Sequence, residues 1–196
     1  ISKPVKKEPP TFTESLKDVT IGLNKSHTLS CVVGGIPIPE VIWYKDDQPF
    51  ASKFLSYESR ISKYTIETTT ETTAGTYKCI ATNEMGESTT TCNVVIQEKP
   101  SITIDEKLIS QNLRVQSQYE VVANVTGYPV PKVQWFKDNI KIDTNEEYTV
   151  ETTKTTTRLF IKSIERHHSG KFTVKAKNTA GTAVVDLSVS VIDKPS

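Results

Sequence analysis

Three cysteines offer the broadest chemistry in this sequence, because a thiol can form a disulfide, bind a metal or act as a nucleophile. They stand at Cys31, Cys79 and Cys92 in a chain of 196 residues. Structural zinc sites place their cysteine and histidine ligands in closely spaced pairs. The gaps between these three cysteines do not match that spacing, so they predict no zinc site.

A second candidate for metal binding or acid–base chemistry is the neighbouring pair His167 and His168. On an extended segment adjacent side chains point to opposite sides, and no carboxylate or thiol recurs nearby at a ligand spacing. We therefore interpret the pair as part of a solvated loop. No serine, cysteine or lysine stands in a nucleophile motif, and no glycine-rich loop precedes a helix that could bind phosphate. The sequence predicts no catalytic residue, no metal, no cofactor and no enzyme activity.

The charges of the chain are nearly balanced, with 24 lysines and arginines against 23 aspartates and glutamates, a net charge of +1. This balance gives no long-range field that would attract a nucleic acid or an anionic membrane. No apolar run reaches the length of about 20 residues that spans a bilayer. We therefore expect no nucleic acid among its partners and no membrane span. The basic cluster Lys3, Lys6 and Lys7 is interpreted as an extended, solvated lead-in.

Two short patterns permit N-glycosylation in a secreted protein, at Asn24 (NKS) and Asn124 (NVT). We expect both asparagines to face solvent. So short a pattern arises often by chance in a chain rich in threonine and serine, and it keeps an extracellular location open without favouring it.

The elements that carry these residues occur twice. The segment GIPIPEVIWYKDD (35–47) returns as GYPVPKVQWFKDN (127–139), an offset of 92 residues. The segment GTYKCIATNEMG (75–86) returns as GKFTVKAKNTAG (170–181), an offset of 95 residues. The difference predicts a three-residue insertion in the second copy between Trp135 and Gly170. The chain is thus expected to hold two copies of one domain, 1–98 with a proline- and lysine-rich lead-in and 99–196.

Alternating apolar and polar side chains indicate strands in both copies. The segments 90–96 and 185–191 alternate with period two. Proline and glycine interrupt such runs at intervals of about 8 to 12 residues, and no stretch carries a helical stripe. The sequence predicts an all-β fold in which each copy is a sandwich, with Cys92 facing inward.

The first copy carries a signature of four residues: Cys31, Trp43, Tyr77 and Cys79. A tryptophan after the first cysteine and a tyrosine two residues before the second are typical of an immunoglobulin domain. With the turn at 35–39 and the hairpin at 83–86, the chain resembles the intermediate set of these domains, as in giant muscle proteins of the titin, twitchin and projectin type. The resemblance covers nearly the whole chain and implies two immunoglobulin-like (I-set) β-sandwiches in tandem.

The second copy departs from this signature at the matching positions, which hold Ala123, Trp135, Phe172 and Val174. Its domain must fold without the disulfide of the family. In the first copy Cys31 and Cys79 stand at the disulfide positions, and both a disulfide and two buried thiols are open; we favour thiols because the second copy has discarded both cysteines. Thr69 replaces the apolar Ile164 of the second copy, so a softer core is expected there.

The short connection between the copies is expected to act as a restricted hinge. Pro100 fixes its own φ and favours extended geometry at the residue before it. The predicted hinge residues are Gln97, Glu98, Lys99, Pro100, Ser101 and Tyr128.

The resemblance implies a non-catalytic structural and scaffolding segment of a giant intracellular sarcomeric filament protein. In the cytoplasm of muscle it would act as mechanical spacer and docking module, with immunoglobulin or fibronectin-like neighbours and muscle filament proteins as partners. The alternative is a pair of ectodomain modules of an extracellular adhesion or receptor protein. Reduced Cys31 and Cys79 would favour the first function, and a disulfide together with glycans the second.

Overall fold

The computed structural model describes residues 2–193 and divides the chain into two compact units, Ile1–Ile96 and Gln97–Ser196. Both units are built from β-strands joined by turns, and the all-β prediction is confirmed. The described residues include no helix long and apolar enough to cross a bilayer.

Unit 1 folds into two facing sheets. Its strands are β1 (Glu8–Glu14), β2 (Val19–Ile21), β3 (His27–Ile36), β4 (Glu40–Lys45), β5 (Gln48–Phe50), β6 (Leu55–Glu58), β7 (Ile61–Ile66), β8 (Gly75–Asn83) and β9 (Gly86–Ile96). One sheet has the order β1-β3-β7-β6 and the other β2-β9-β8-β4-β5.

Unit 2 repeats this arrangement. Its strands are β10 (Glu98–Thr103), β11 (Ser110–Arg114), β12 (Tyr119–Tyr128), β13 (Lys132–Lys137), β14 (Ile140–Ile142), β15 (Tyr148–Thr152), β16 (Thr156–Ile161), β17 (Gly170–Asn178) and β18 (Gly181–Ile192). Its sheets have the orders β10-β12-β16-β15 and β11-β18-β17-β13-β14.

The core of each unit lies between its two sheets. Alternation buries every second residue, so Leu29, Cys31 and Val33 of β3 face inward, as do Cys92 and Val94 of β9. The inward position expected for Cys92 is confirmed. One hydrophobic face per strand is what two stacked sheets require.

The first segment of each unit changes sheets. β1 pairs antiparallel with β3, and β2 then joins the opposite sheet by parallel pairing with β9 at three positions, Val19 to Ile21. In unit 2 the corresponding parallel pairing of β11 with β18 covers five positions, from Ser110 to Arg114.

The strand registers locate the insertion of the second copy. Phe50 lies opposite Trp43, and Ile142 lies opposite Trp135, so the offset is still 92 at β5 and β14. β7 and β16 end at Ile66 and Ile161, where the offset is 95. The three extra residues therefore lie in the loop between β14 and β15, which contains Glu147.

One close approach recurs at the start of β8 and β17. The carboxylate of Asp46 accepts the backbone N–H of Thr76 at 2.9 Å, and Asp138 accepts that of Lys171 at the same distance. Gly75 precedes Thr76 with φ +149°, and a Cβ there would lie 2.6 Å from Asp46 Oδ1. Only glycine fits both the backbone angle and the space.

Candidate functional site

Each unit is anchored by one buried tryptophan. Trp43 and Trp135 are 3% and 1% exposed. The indole N–H of Trp43 donates to Ser62 Oγ at 2.9 Å, and that of Trp135 donates to Thr157 Oγ1 at 2.8 Å. Both hydroxyls belong to the facing sheet, so the tryptophan joins the two layers through packing and a hydrogen bond.

In unit 1 the tryptophan lies beside two free thiols. Trp43 pairs with Cys79 across β4 and β8, and the sulfurs of Cys31 and Cys79 are 3.6 Å apart, well beyond the covalent distance of about 2.05 Å. The contact with Cys31, together with burial, raises the pKa of the Cys79 thiol, and burial raises that of Cys92 to about 11. The same contact lowers the pKa of the Cys31 thiol. Both thiols are fully buried, so this pair is part of the core rather than an accessible reactive centre.

In unit 2 small apolar side chains take the place of the thiols. Ala123 and Val174 are fully buried, and Val174 pairs with Trp135 as Cys79 pairs with Trp43. Phe172 fills the position of Tyr77 and is also fully buried. The core of this unit closes without any cross-link.

Tyr77 of unit 1 and Phe172 of unit 2 occupy equivalent positions and differ by one hydroxyl. Tyr77 donates its O–H to the backbone carbonyl of Thr73 at 2.9 Å, which is the tyrosine corner that the sequence pattern indicates. Phe172 keeps the ring but not the donor. Unit 2 instead has a buried hydroxyl at Tyr119, which finds no hydrogen-bond partner among the described residues. Burial raises the pKa of Tyr119 to about 12.

At Thr69, where the sequence leads us to expect a softer core, the side chain is buried and hydrogen-bonded, and the softness itself stays a prediction. Thr69 is fully buried, its hydroxyl donates to the carbonyl of Gly22 at 2.6 Å, and it accepts the N–H of Lys25 at 2.9 Å. The apolar contact made by Ile164 in unit 2 is replaced by two hydrogen bonds that hold the turn before β3.

The interpretation of His167 and His168 as a divergent pair in a solvated loop is wrong. They lie on a short 3-10 turn, Arg166–His168, where their ring centroids are 4.2 Å apart, and His168 is fully buried. Glu147 contacts His167 Nε2 and lies 2.7 Å from His168 Nε2. A turn brings successive side chains together, and the carboxylate arrives from a loop twenty residues earlier, so sequence spacing could not show it.

These three groups are near enough to one another to be tested as a metal site. His168 Nδ1 accepts the backbone N–H of Glu165 at 2.8 Å and therefore carries a lone pair. The proton of the neutral ring then lies on Nε2, the nitrogen that faces Glu147. A metal ligand needs a free lone pair on the nitrogen that it presents, so His168 does not fit a metal in this arrangement.

The predicted hinge residues belong largely to the second unit's first sheet. Glu98, Lys99, Pro100 and Ser101 are part of β10, and the Nε2 of Gln97 donates to Thr179 at 3.0 Å. Tyr128 is half-buried at the end of β12, opposite Glu98. Their role as a hinge stays a prediction.

The other surface residues are placed as follows. Asn24 and Asn124 are both exposed, as expected. In the lead-in, Lys7 donates to Glu84 at 2.7 Å and Lys6 contacts Glu8, whereas Lys3 is exposed. Two of the three lysines thus have carboxylate partners within unit 1.

Sequence reasoning missed a repeated asparagine that ties the ends of three strands together. Asn83 donates to the carbonyls of Glu8 and Pro37, both at 2.9 Å. Asn178 makes the matching bonds to Glu98 and Pro129. The signal was available, because both asparagines occupy the same place in the repeat. Ser62 and Thr157, the partners of the tryptophans, also share one place in the repeat, but they have only a hydroxyl in common, which is a weaker signal than an identical residue.

Together, the two sheets, the buried tryptophan and the corner define a pair of immunoglobulin-like β-sandwiches. Residues 10–96 and 102–191 both match the immunoglobulin I-set domain family. The chain belongs to this family, and its members' architecture places it among non-catalytic structural modules.

Sequence relatives show in which proteins similar domain pairs occur. The chain is 46% identical to titin from Drosophila melanogaster over 192 residues, which is 98% of this chain and 1% of that protein. It is 34% identical to the muscle M-line assembly protein unc-89 from Caenorhabditis elegans over 88% of this chain and 2% of that protein. Human hemicentin-1 is 30% identical over 96% of this chain and 3% of its own length. The chain therefore spans only a small part of each relative.

Solved structures give the same class. Domains A168–A170 of titin match with a TM-score of 0.84 at 25% identity, covering 96% of this chain and 68% of that one. The titin domains Z1Z2, in a complex with telethonin, match with a TM-score of 0.57 at 26% identity, covering 97% of this chain and all of that one. The structural similarity to titin tandems confirms the resemblance that the sequence motifs carry.

Proposed function

We propose that the chain is a mechanical spacer and docking segment of a giant intracellular filament protein of muscle. The observation that carries this proposal is the 46% identity to Drosophila titin along 98% of the chain. The similarity to unc-89, a muscle M-line assembly protein by name, supports the same setting. Its partners would be neighbouring immunoglobulin or fibronectin-like modules and muscle filament proteins.

The strand order of each unit suits a load-bearing role. In each unit an early strand pairs in parallel with the last strand. Tension on the two ends of a unit pulls such strands in opposite directions along their length, so their hydrogen bonds are loaded together rather than one by one. Five paired positions in unit 2 against three in unit 1 lead us to expect the higher unfolding force in unit 2.

A proline substitution in β11 tests whether its pairing with β18 resists the applied force. Ile109 O accepts from Ser188, and Val115 N donates to Ile192, so odd-numbered positions of β11 face β18. Gln111→Pro removes a ladder donor. Asn112→Pro is the matched control, because β11 is at the sheet edge and the N–H of Asn112 faces away from β18.

Single-molecule force spectroscopy on the whole chain gives the measurement. We expect Gln111→Pro to lower one of the two unfolding forces to that of unit 1 or below, and Asn112→Pro to change it much less. Equal effects of the two prolines, or domains that unfold at forces near the detection limit without substitution, would contradict a mechanical role.

An extracellular pair of modules is the second candidate, favoured by the relationship to hemicentin-1 and by the exposed asparagines Asn24 and Asn124. Thiol labelling of the native protein after denaturation without reductant separates the two. Three free cysteines support the filament protein. A single free cysteine, with glycan on either asparagine, supports the extracellular module.

A further inference from the structure

The cluster of Glu147, His167 and His168 in unit 2 has no counterpart in unit 1. Thr73 stands where His168 stands, and Glu147 lies in the region that contains the three-residue insertion. The insertion is locally ordered, because Asn145 Oδ1 accepts the N–H groups of Glu147 and Tyr148, both at 2.8 Å. Two independent sequence changes thus meet at one place in the fold.

His168 takes over a structural role that a threonine plays in unit 1. The hydroxyl of Thr73 accepts the N–H of Thr70 at 2.9 Å and so closes the turn before β8. His168 Nδ1 accepts the N–H of Glu165 at 2.8 Å and closes the equivalent turn before β17. A hydroxyl keeps its lone pairs at every physiological pH, whereas an imidazole loses the Nδ1 lone pair when it takes up a proton.

The other side of the ring faces the inserted loop. His168 Nε2 lies 2.7 Å from Glu147 Oε1, although its N–H is not aligned for a full hydrogen bond. The ring packs nearly perpendicular to that of Tyr148, with centroids 5.7 Å apart. The neutral ring therefore contacts two separate segments, the turn at 165–168 and the loop that leads into β15.

We propose that His168 is an acid-sensitive latch: its neutral ring fastens the turn at 165–168 to the loop of Glu147, and proton uptake at Nδ1 releases the turn. The proton comes from solvent, and no bond other than the N–H at Nδ1 is formed. Because the Glu165 N–H and a protonated Nδ1 are both donors, they cannot remain in contact.

The charges around the ring set the direction of its titration. Burial first, and then the neighbouring His167, lower the pKa of His168 below its usual value, and Glu147 opposes them. Farther out, charged groups of the surrounding elements already have partners: Lys137 with Asp138 and the carbonyl of Ser169, and Arg166 with Asp193.

The sign of the pH dependence follows. A histidine with a lowered folded-state pKa binds its proton more readily in the unfolded or open state. The latch is fully closed above the ordinary histidine pKa of about 6.5. It weakens as the pH falls from there towards the folded-state pKa, by about tenfold in the opening equilibrium for each pH unit in that window.

Nuclear magnetic resonance on the whole chain gives two readouts. The ring-nitrogen shifts of His168 should show the proton on Nε2 at pH 7.5, and hydrogen exchange at the Glu165 amide should lose protection as the pH falls, after correction for intrinsic exchange. His168→Thr copies unit 1 and should make that protection independent of pH. The Thr70 amide of unit 1 is the internal control.

Two further variants test the charges. His167→Gln removes the repelling neighbour and should raise the titration midpoint of His168, whereas Glu147→Gln should lower it. In both variants the pH at which the Glu165 amide loses protection should move together with the His168 midpoint, whereas a histidine that only fills space would leave that amide unaffected. A proton on Nδ1 at pH 7.5, a shift of the His168 nitrogens on adding Zn²⁺, or the same pH dependence in His168→Thr would each overturn the latch.

Discussion

The centres of the two units differ in chemistry and agree in geometry. Under Trp43 lie two thiols, and under Trp135 lie a methyl and an isopropyl group, yet the same strands pair in the same register around them. The tryptophan and its hydrogen bond to the facing sheet are what both units retain. The cysteine positions therefore fill space in this fold, while the tryptophan holds the two layers together.

Replacing either tryptophan should give the largest loss of stability. Trp43→Ala and Trp135→Ala each create a cavity and remove the indole hydrogen bond to the facing sheet, so we expect a loss of about 3 to 5 kcal/mol, a large share of a domain's total stability. Calorimetry of the whole chain should show one transition lost or strongly lowered and the other kept. If the transition of the substituted unit stayed near its original midpoint, the claim that the tryptophan holds the two sheets together would be wrong.

Exchanging Thr69 and Ile164 between the units tests whether the stability of each unit depends on its own side chain at this position. Thr69→Ile leaves the Lys25 N–H and the Gly22 carbonyl without their partner, at a cost of about 2 kcal/mol. Ile164→Thr buries a hydroxyl in an apolar site and should cost a similar amount. Denaturant titration measures both, with Thr69→Ser as the control that keeps the hydroxyl. A stabilised Thr69→Ile would support the expectation of a softer core at this site.

The corner hydroxyl should have a smaller effect. Tyr77→Phe makes unit 1 resemble unit 2 and removes the bond to the Thr73 carbonyl, so we expect a loss of about 1 kcal/mol. Tyr119→Phe is the matched control in unit 2, because its buried hydroxyl has no partner in the described structure; it should be neutral or stabilising. Equal losses in the two variants, measured by thermal unfolding, would contradict this difference.

A reducing agent should have no effect on either unit. Unit 2 has no cysteine, and the thiols of unit 1 are separate at 3.6 Å. Had Cys31 and Cys79 been joined, closing their 48-residue loop would stabilise unit 1 by about 4 kcal/mol on the chain-entropy account. A fall in the first unit's melting temperature on adding dithiothreitol would therefore show oxidation of the native protein.

Several features of the core followed from the sequence. The inward positions of Cys92 and Val94, the burial of both tryptophans and the Tyr77 corner were all predictable from period-two alternation and motif spacing. The insertion was predicted between Trp135 and Gly170, and the registers narrowed it to the approach to β15.

The missed features share a cause. The partner of each tryptophan, the two bonds of Thr69 and the meeting of Glu147 with His168 all join segments far apart in the chain. The interpretation of the histidines failed because it assumed extended backbone where the chain makes a 3-10 turn.

Two all-β domains of one family could be inferred from the sequence, because alternation, spacing and repetition are properties that can be counted along a single chain. Which polar atoms meet inside each domain became known only from the three-dimensional fold. A hydrogen bond depends on distances and directions of tenths of an ångström and a few tens of degrees, and these are set by how the sheets face each other. For that reason Thr69 can take the place that Ile164 has in the second domain. For the same reason His168 can close a turn that Thr73 closes in the first domain.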